Sequence, residues 1–313
     1  MAELIGYILT LDALFTWAAA SLVYKKNLGK TDPRANLFFR LCCVSVGTFF
    51  FSLIFGSFTF FFTIGLSNLI DYLIACFISG ASVTAGDLLY FMSLKKIDVS
   101  RAYPLLQLSL IFVYPFAFFV FAEEIKISIL VGGFLILCSV FILSSRDRMK
   151  KQTEQEDKEK VEAPKEDLLI GVLLAIIAAF LWALAIVSFN QARVISGDVF
   201  YTNFFRVVMA TTMIAIVGIF KREFLSGFKK ENRKYLKNYI YIGIAGALSL
   251  GLADSLFYKA VEINTLVLTS TFTANTPMVQ QILSIFILKE KFRKRFLIAV
   301  CLIIIGNYIM LFF

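Results

Sequence analysis

Three carboxylates lie inside long apolar runs of this chain, where an ionisable side chain has to be explained. They are Asp12, Asp87 and Asp254. Placing such a group at the centre of a membrane-embedded helix costs about 3 kcal/mol on insertion scales, so it must face the bundle interior or water. A carboxylate held that way can take up a proton, bind a cation or anchor a positively charged part of a substrate. For Asp12 the competing reading is a structural hydrogen bond to a neighbouring helix. Thr16 lies one turn further along the same face. Asp87 and Asp254 also have two readings: a matched pair reachable from opposite sides, or carboxylates near helix ends that pair with Lys95 and Lys259.

Other groups with chemistry surround these three. Arg40 and Arg206 each stand near the start of an apolar run. Snorkelling to the membrane interface is the expected behaviour; attracting or gating an anionic group is the alternative. Tyr103, Gln107 and Tyr114 recur at helical spacing, as do Thr269, Thr273, Thr276 and Gln280, with Asn275 beside them. Polar stripes in apolar helices either line a cavity or glue helices together. Their recurrence in both halves of the chain favours cavity lining. Trp17, Trp182, Tyr90, Tyr103 and Tyr114 are candidate aromatic walls, Tyr258 follows Asp254 by one turn, and Thr273, Asn275 and Gln280 could hydrogen-bond a ligand. The chain has no histidine, and its five cysteines all sit in apolar segments without a CxxC spacing. A metal site or cofactor is therefore not expected. Neither a phosphate-binding loop nor a nucleophile elbow occurs, so an enzyme is not expected either.

The elements that must carry these residues are membrane helices. The chain is 59% hydrophobic with 35 phenylalanines, its mean hydropathy is +0.81, and only 17% of it is charged. A soluble protein would carry about 25% charged residues. Runs of about 20 apolar residues suffice to cross the hydrocarbon core. Ten candidates occur, at 4–24, 35–56, 67–94, 99–121, 127–145, 168–190, 199–220, 238–258, 265–288 and 296–313. Each must satisfy its own backbone hydrogen bonds, so the fold class is an all-α membrane protein of ten transmembrane helices. The first run has Glu3 at its start and Asp12 at its middle, which fits a resident helix better than a signal peptide. The fifth and tenth runs lack polar features and should pack at the periphery, where a homodimer could form.

The two halves resemble each other. Trp17 and Trp182 are 165 residues apart, Phe38-Phe39-Arg40 and Phe204-Phe205-Arg206 are 166 apart, and Asp87/Asp254 and Glu123/Glu290 are both 167 apart. Four landmarks in one order argue for a duplication. Residues 1–145 form the first repeat and 168–313 the second. Between them, 146–167 is a charged, solvated linker. All but five of the 31 basic residues fall in odd-numbered connections, the exceptions being Arg40, Lys126, Arg193, Arg206 and Lys259. By the positive-inside rule those connections are cytoplasmic and both termini lie outside. The net charge of +9 thus reflects membrane topology and does not call for nucleic acid. Five helices per repeat then require the repeats to be inverted, an arrangement found in many secondary transporters.

With two five-helix repeats, the paired Trp17/Trp182 and Arg40/Arg206, and the ending Pro277, Leu288-Lys289-Glu290 and Gly306, the chain resembles the EamA repeat of the drug/metabolite transporter superfamily. The resemblance covers nearly the whole chain. It implies a central cavity lined by helices 1, 3, 4, 6, 8 and 9, alternating access by rocking of the repeats, and a plasma-membrane location. The expected activity is secondary transport of a small polar metabolite such as an amino acid or amine, with protons as a candidate coupling ion. Embedded carboxylates outnumber arginines, which leans toward zwitterionic or cationic substrates. A nucleotide-sugar or lipid-linked substrate carrier, and a non-transporting membrane subunit, are the alternatives.

Overall fold

The computed structural model describes every residue except 1, 29–30, 58, 60–61, 63, 98–101, 103–104, 145–164, 289–293 and 313. Among the described residues there are ten helices. The first five are α1 (Ala2–Leu28), α2 (Pro33–Phe55), α3 (Leu66–Lys96), α4 (Ser109–Phe121) and α5 (Ile127–Ser144). The second five are α6 (Lys165–Ser196), α7 (Val199–Phe220), α8, α9 and α10 (Lys294–Phe312). Helix α8 runs through Leu236–Gly246, a π-helical turn Ala247–Ala253 and Asp254–Ile263, while α9 consists of Leu266–Thr273 and Thr276–Leu288. By length and composition α1, α2, α3, α6, α7 and α8 can each cross a membrane, and α4, α5 and α10 are shorter apolar helices. The protein is an all-α membrane protein built from two five-helix repeats. Tyr103 and nearly all of the charged linker lie outside the described residues.

The second helix of each repeat starts the same way. Asp32 accepts from the backbone N–H groups of Arg34 and Ala35, and Asp198 accepts from that of Tyr201. A side-chain acceptor here satisfies N–H groups that the first helical turn leaves free. These caps fix where α2 and α7 begin, and so place Arg40 and Arg206 two turns inside them.

The fourth helix of each repeat meets a turn at an equivalent place, just before α4 and inside α9. Turns occur at Gln107–Leu108 and Ala274–Asn275, 167 residues apart. Backbone bonds tighten there to three-residue closure, as in Leu110 N–H to Gln107 O and Met278 N–H to Asn275 O. In α9, Pro277 falls in the first turn after the break, where its missing N–H does least harm. The first repeat makes the same turn with Leu110 at that position, so proline is not what dictates the break.

The repeats are interleaved. Helix α1 packs on α8 and α9 of the other repeat, and α6 packs on α3 and α4. Helices α5 and α10 pack on each other, and Gly132 and Gly306 let their backbones meet: a Cβ at 132 would lie 2.5 Å from Gly306 O. Their outer faces, with Ile127, Phe134, Ile304 and Phe312, are exposed and apolar. Glu123 ties the repeats at one end by accepting from the backbone N–H groups of Leu266 (2.9 Å) and Val267 (3.0 Å) at the start of α9.

Candidate functional site

Two buried ion pairs occupy equivalent positions in the two repeats. Arg40 Nη1 on α2 stands 2.8 Å from Asp87 Oδ2 on α3, and Arg206 Nη2 on α7 stands 2.7 Å from Asp254 Oδ2 on α8. Arg40 is 5% exposed and Arg206 1%. The two pairs act on each other electrostatically, since Asp254 is felt by both Arg40 and Asp87. Together they form a charge-balanced cluster of two cations and two anions.

This overturns two expectations. The arginines do not snorkel; they are among the most enclosed side chains in the protein. The carboxylates do not pair with nearby lysines either. Lys259 bonds Glu262 at 2.7 Å, and Lys95 is exposed at the end of α3. With each of Asp87 and Asp254 matched by an arginine, the excess of carboxylate over guanidinium that favoured cationic ligands reduces to Asp12.

Each guanidinium rests on an aromatic pair. Arg40 lies over Tyr24 (5.2 Å) and Phe91 (5.8 Å), and Arg206 lies over Phe189 at 4.6 Å, with Phe189 stacked on Tyr258 at 3.7 Å. Tyr24 and Phe189 are 165 residues apart, Phe91 and Tyr258 are 167 apart, so both pairs follow the repeat. A desolvated cation–π contact of this kind is worth about 2 kcal/mol. It offsets part of the cost of burying the arginine. The hydroxyl has changed sides, being on the first helix of one repeat and the third helix of the other.

The tryptophans cross between repeats. Trp17 on α1 donates from Nε1 to Asp254 Oδ1 (3.0 Å) and to Ser249 O (3.1 Å), and its ring packs on Phe257. Trp182 on α6 packs edge-on against Tyr90 and lies against Gly86, where a Cβ would come within 2.6 Å of the indole. Its Nε1 is directed at the Asp87 carboxylate, as that of Trp17 is at Asp254.

The π turn in α8 directly precedes Asp254, and Asn203 holds it. The fully buried Asn203 amide shares its N–H groups among Leu250 O (2.9 Å), Gly251 O (2.8 Å) and Ser255 Oγ (3.0 Å). Its Oδ1 accepts from Arg206 Nη2 at 2.7 Å. Tyr24 OH, from the first repeat, bonds Ser249 Oγ at 2.9 Å. Single-turn π segments often mark functional places in helices. Helix α3 has none at the matching position.

The remaining candidates fall in two groups. Tyr114 OH bonds Thr271 Oγ1 (2.8 Å), Thr273 bonds Ser270 O, and Asn275 bonds Phe272 O and Asn307 Oδ1. These contacts hold the α9 break and its neighbours together. Asp12 is exposed, and Thr16, Gln107 and Gln280 are half-buried with no side-chain partner among the described residues. Tyr24, Phe91, Phe189, Asn203 and Ser249 were not among the sequence candidates. The repeat offsets would have found the three aromatics, but nothing in the sequence singles out Asn203 or Ser249.

Relatives agree with this architecture. An uncharacterized transporter of Clostridium kluyveri is 26% identical over 245 residues, covering 77% of this chain and 72% of that protein. An uncharacterized transporter of Archaeoglobus fulgidus is 23% identical over 306 residues, covering 97% of each. A solved protein crystal structure superposes with a TM-score of 0.69 at 15% identity, covering 99% of this chain and 96% of that one, and so shares the fold. The EamA-like transporter family matches twice, over residues 4–145 and 169–312, one match per repeat, and the chain belongs to that family of membrane transporters.

Proposed function

We propose that this protein is a secondary transporter that moves a small polar metabolite, of amino-acid or amine type, by alternating access between its two repeats. The observation that carries this reading is the repeat-matched pair of buried ion pairs, Arg40–Asp87 and Arg206–Asp254, each reached by a tryptophan of the opposite repeat. Buried charges of this kind are expensive to keep in a membrane protein and mark its pathway by default. A cluster with both signs suits a ligand with both signs, hence the preference for zwitterions. Asp12, Asp87 and Asp254 are the candidate proton carriers. Thr16, Gln107 and Gln280, half-buried and without a side-chain partner among the described residues, are candidates to bond a ligand, and Tyr103 remains a candidate from its place in the sequence.

In this reading the repeats are inserted in opposite orientations in the plasma membrane, with odd-numbered connections in the cytoplasm and both termini outside. The transporter family and the transporter relatives support transport, and no catalysed reaction, as the activity in this reading. A homodimer through the apolar outer faces of α5 and α10 completes the proposal. The test is electrical. Purified protein in proteoliposomes is offered panels of amino acids, amines, sugars and phosphorylated compounds, with and without an imposed pH gradient. A substrate-specific current that follows the gradient supports coupled transport of that class. Currents confined to phosphorylated compounds would replace the metabolite reading with a nucleotide-sugar or lipid-linked one.

A further inference from the structure

The connection from α7 into α8, residues 221–237, is strongly basic and folded. It holds seven basic residues and two acidic ones, a net charge of +5. Lys221, Arg222, Lys229, Arg233, Lys234 and Lys237 are all exposed. The backbone closes into short 3-10 turns at Ser226–Phe228 and Lys230–Tyr235, and Asn232 Nδ2 donates to Ser226 O at 2.7 Å. Phe224 and Gly227 are buried, and Glu223 pairs with Arg34 at the start of α2. The matching connection of the first repeat, residues 56–65, contains no charged residue.

Membrane topology alone accounts for basic residues in a connection. It calls for neither a folded backbone nor an exposed phenylalanine among them. Phe228 is 58% exposed in the middle of this segment, with its ring 5.3 Å from that of Phe39 and 5.8 Å from that of Phe38 on α2. Exposed apolar side chains continue on both sides of it, Ile219 and Phe220 at the end of α7 and Leu236 and Ile240 at the start of α8. In water that surface is unfavourable. At the boundary of a bilayer both halves are satisfied, the apolar groups by acyl chains and the basic ones by headgroups.

We propose that this connection is a binding surface for anionic phospholipid: its exposed lysines and arginines engage lipid phosphates while Phe228 lies among the acyl chains. Each basic residue at an anionic surface strengthens attachment about fivefold. Arginine adds paired N–H donors that match the oxygens of a phosphate. The proposal is independent of what the protein transports. It accords with the orientation given above, in which this connection faces the cytoplasmic leaflet. A nanodisc presents the same lipids on both faces, so the test holds whichever way the chain is inserted.

The full chain is placed in nanodiscs of equimolar phosphatidylglycerol and phosphatidylcholine, and the lipids it retains on release are counted by native mass spectrometry. Phosphatidylglycerol should be retained in excess. Arg233→Gln/Lys234→Gln should lower that excess about tenfold, as the loss of two such residues implies. Lys95→Gln/Lys96→Gln, which removes the same charge at the end of α3, should leave it within about twofold. Phe228→Ser keeps every charge and should still weaken retention. Equal retention of the two lipids, or equal losses in the two double variants, overturns the proposal. An unchanged excess in Phe228→Ser overturns the insertion and reduces the surface to charge alone. Glycerol phosphate in solution should not displace the lipid at equal concentration; displacement would assign the surface to a free phosphate instead.

Discussion

The indole N–H of Trp17 reaches across the repeat boundary to the carboxylate of Asp254, 237 positions later, at 3.0 Å. That carboxylate already holds Arg206 through its other oxygen at 2.7 Å. A side chain of the first repeat thus completes the charge pair of the second, and any relative rocking of the repeats must strain or break this bond. Trp182 of the second repeat faces the Asp87 carboxylate of the first in the same way. Packing, charge and movement meet at these two places.

Breaking one ion pair should be far worse than removing it whole. Arg206→Ala leaves Asp254 buried without its cation, and a loss of about 3–5 kcal/mol is expected. The double variant Arg206→Ala/Asp254→Ala should recover a large part of that. Denaturant melts in detergent micelles, arranged as a double-mutant cycle, measure the coupling. A double variant whose loss equals the sum of the losses in Arg206→Ala and Asp254→Ala would mean that the pair contributes nothing as a pair.

Asn203→Leu is close to isosteric and removes every polar contact the amide makes. The carbonyls of Leu250 and Gly251 then lose their donor, and Arg206 loses one acceptor. Leaving buried polar groups unpaired costs about 1–3 kcal/mol each. Relaxation of the π turn to regular helix would recover part of that cost, and it would rotate Asp254 away from Arg206. Hydrogen exchange localised to residues 247–254 reads this out: slower exchange there, with lower overall stability, is the expected pattern.

The limits of sequence reading show at these same residues. The carboxylates were legible because an Asp inside an apolar run is conspicuous, and the repeats were legible because Trp, Arg, Asp and Glu recur at nearly constant spacing. The partners were not. Lys95 and Lys259 are close to Asp87 and Asp254 in sequence, while Arg40 and Arg206 lie on other helices. Their depth depended on where α2 and α7 begin, which the Asp32 and Asp198 caps decide. Seven residues separate Pro33 from Arg40, about 10 Å of helix, enough to carry the guanidinium past the interface. The π turn has no local signature, since donors from α1 and α7 hold it.

Two glycines should tolerate nothing larger. A Cβ at Gly246 would lie 2.4 Å from Cγ of the enclosed Arg40, and one at Gly80 would lie 2.5 Å from the backbone oxygen of Arg206. Neither neighbour is the free end of a flexible chain. Gly246→Ala and Gly80→Ala should each cost about 1–3 kcal/mol by overpacking, with the ion pairs displaced. Gly65 has nothing within 4 Å and is the control. Comparable melting of all three variants would show that these helix contacts yield more than their spacing suggests.

Glu123 is the anchor between α4 and α9. Its carboxylate satisfies two N–H groups at the start of α9, one per oxygen, at 2.9 and 3.0 Å. Glu123→Ala should therefore cost about 0.5–2 kcal/mol, the range for losing a helix cap. Glu123→Gln keeps one acceptor and should fall between. Faster hydrogen exchange at Leu266 and Val267 in the alanine variant locates the effect, and unchanged protection there would assign the cap to another group.

Asp12 separates stability from transport. It is exposed and, among the described residues, has no hydrogen bond or ion pair. Asp12→Asn should therefore change stability by less than about 0.5 kcal/mol, as a substitution away from any structural contact does. Protonating Asp87 or Asp254 disrupts an arginine pair and so couples a proton to the whole packing around it. Protonating Asp12 breaks nothing, and a carrier that must load and unload a proton every cycle favours such a group. If Asp12 is that carrier, Asp12→Asn abolishes uptake driven by a pH gradient while leaving exchange of substrate across the membrane intact. An unchanged pH dependence in Asp12→Asn would remove Asp12 from the mechanism and place proton coupling, if any, on the arginine-paired carboxylates.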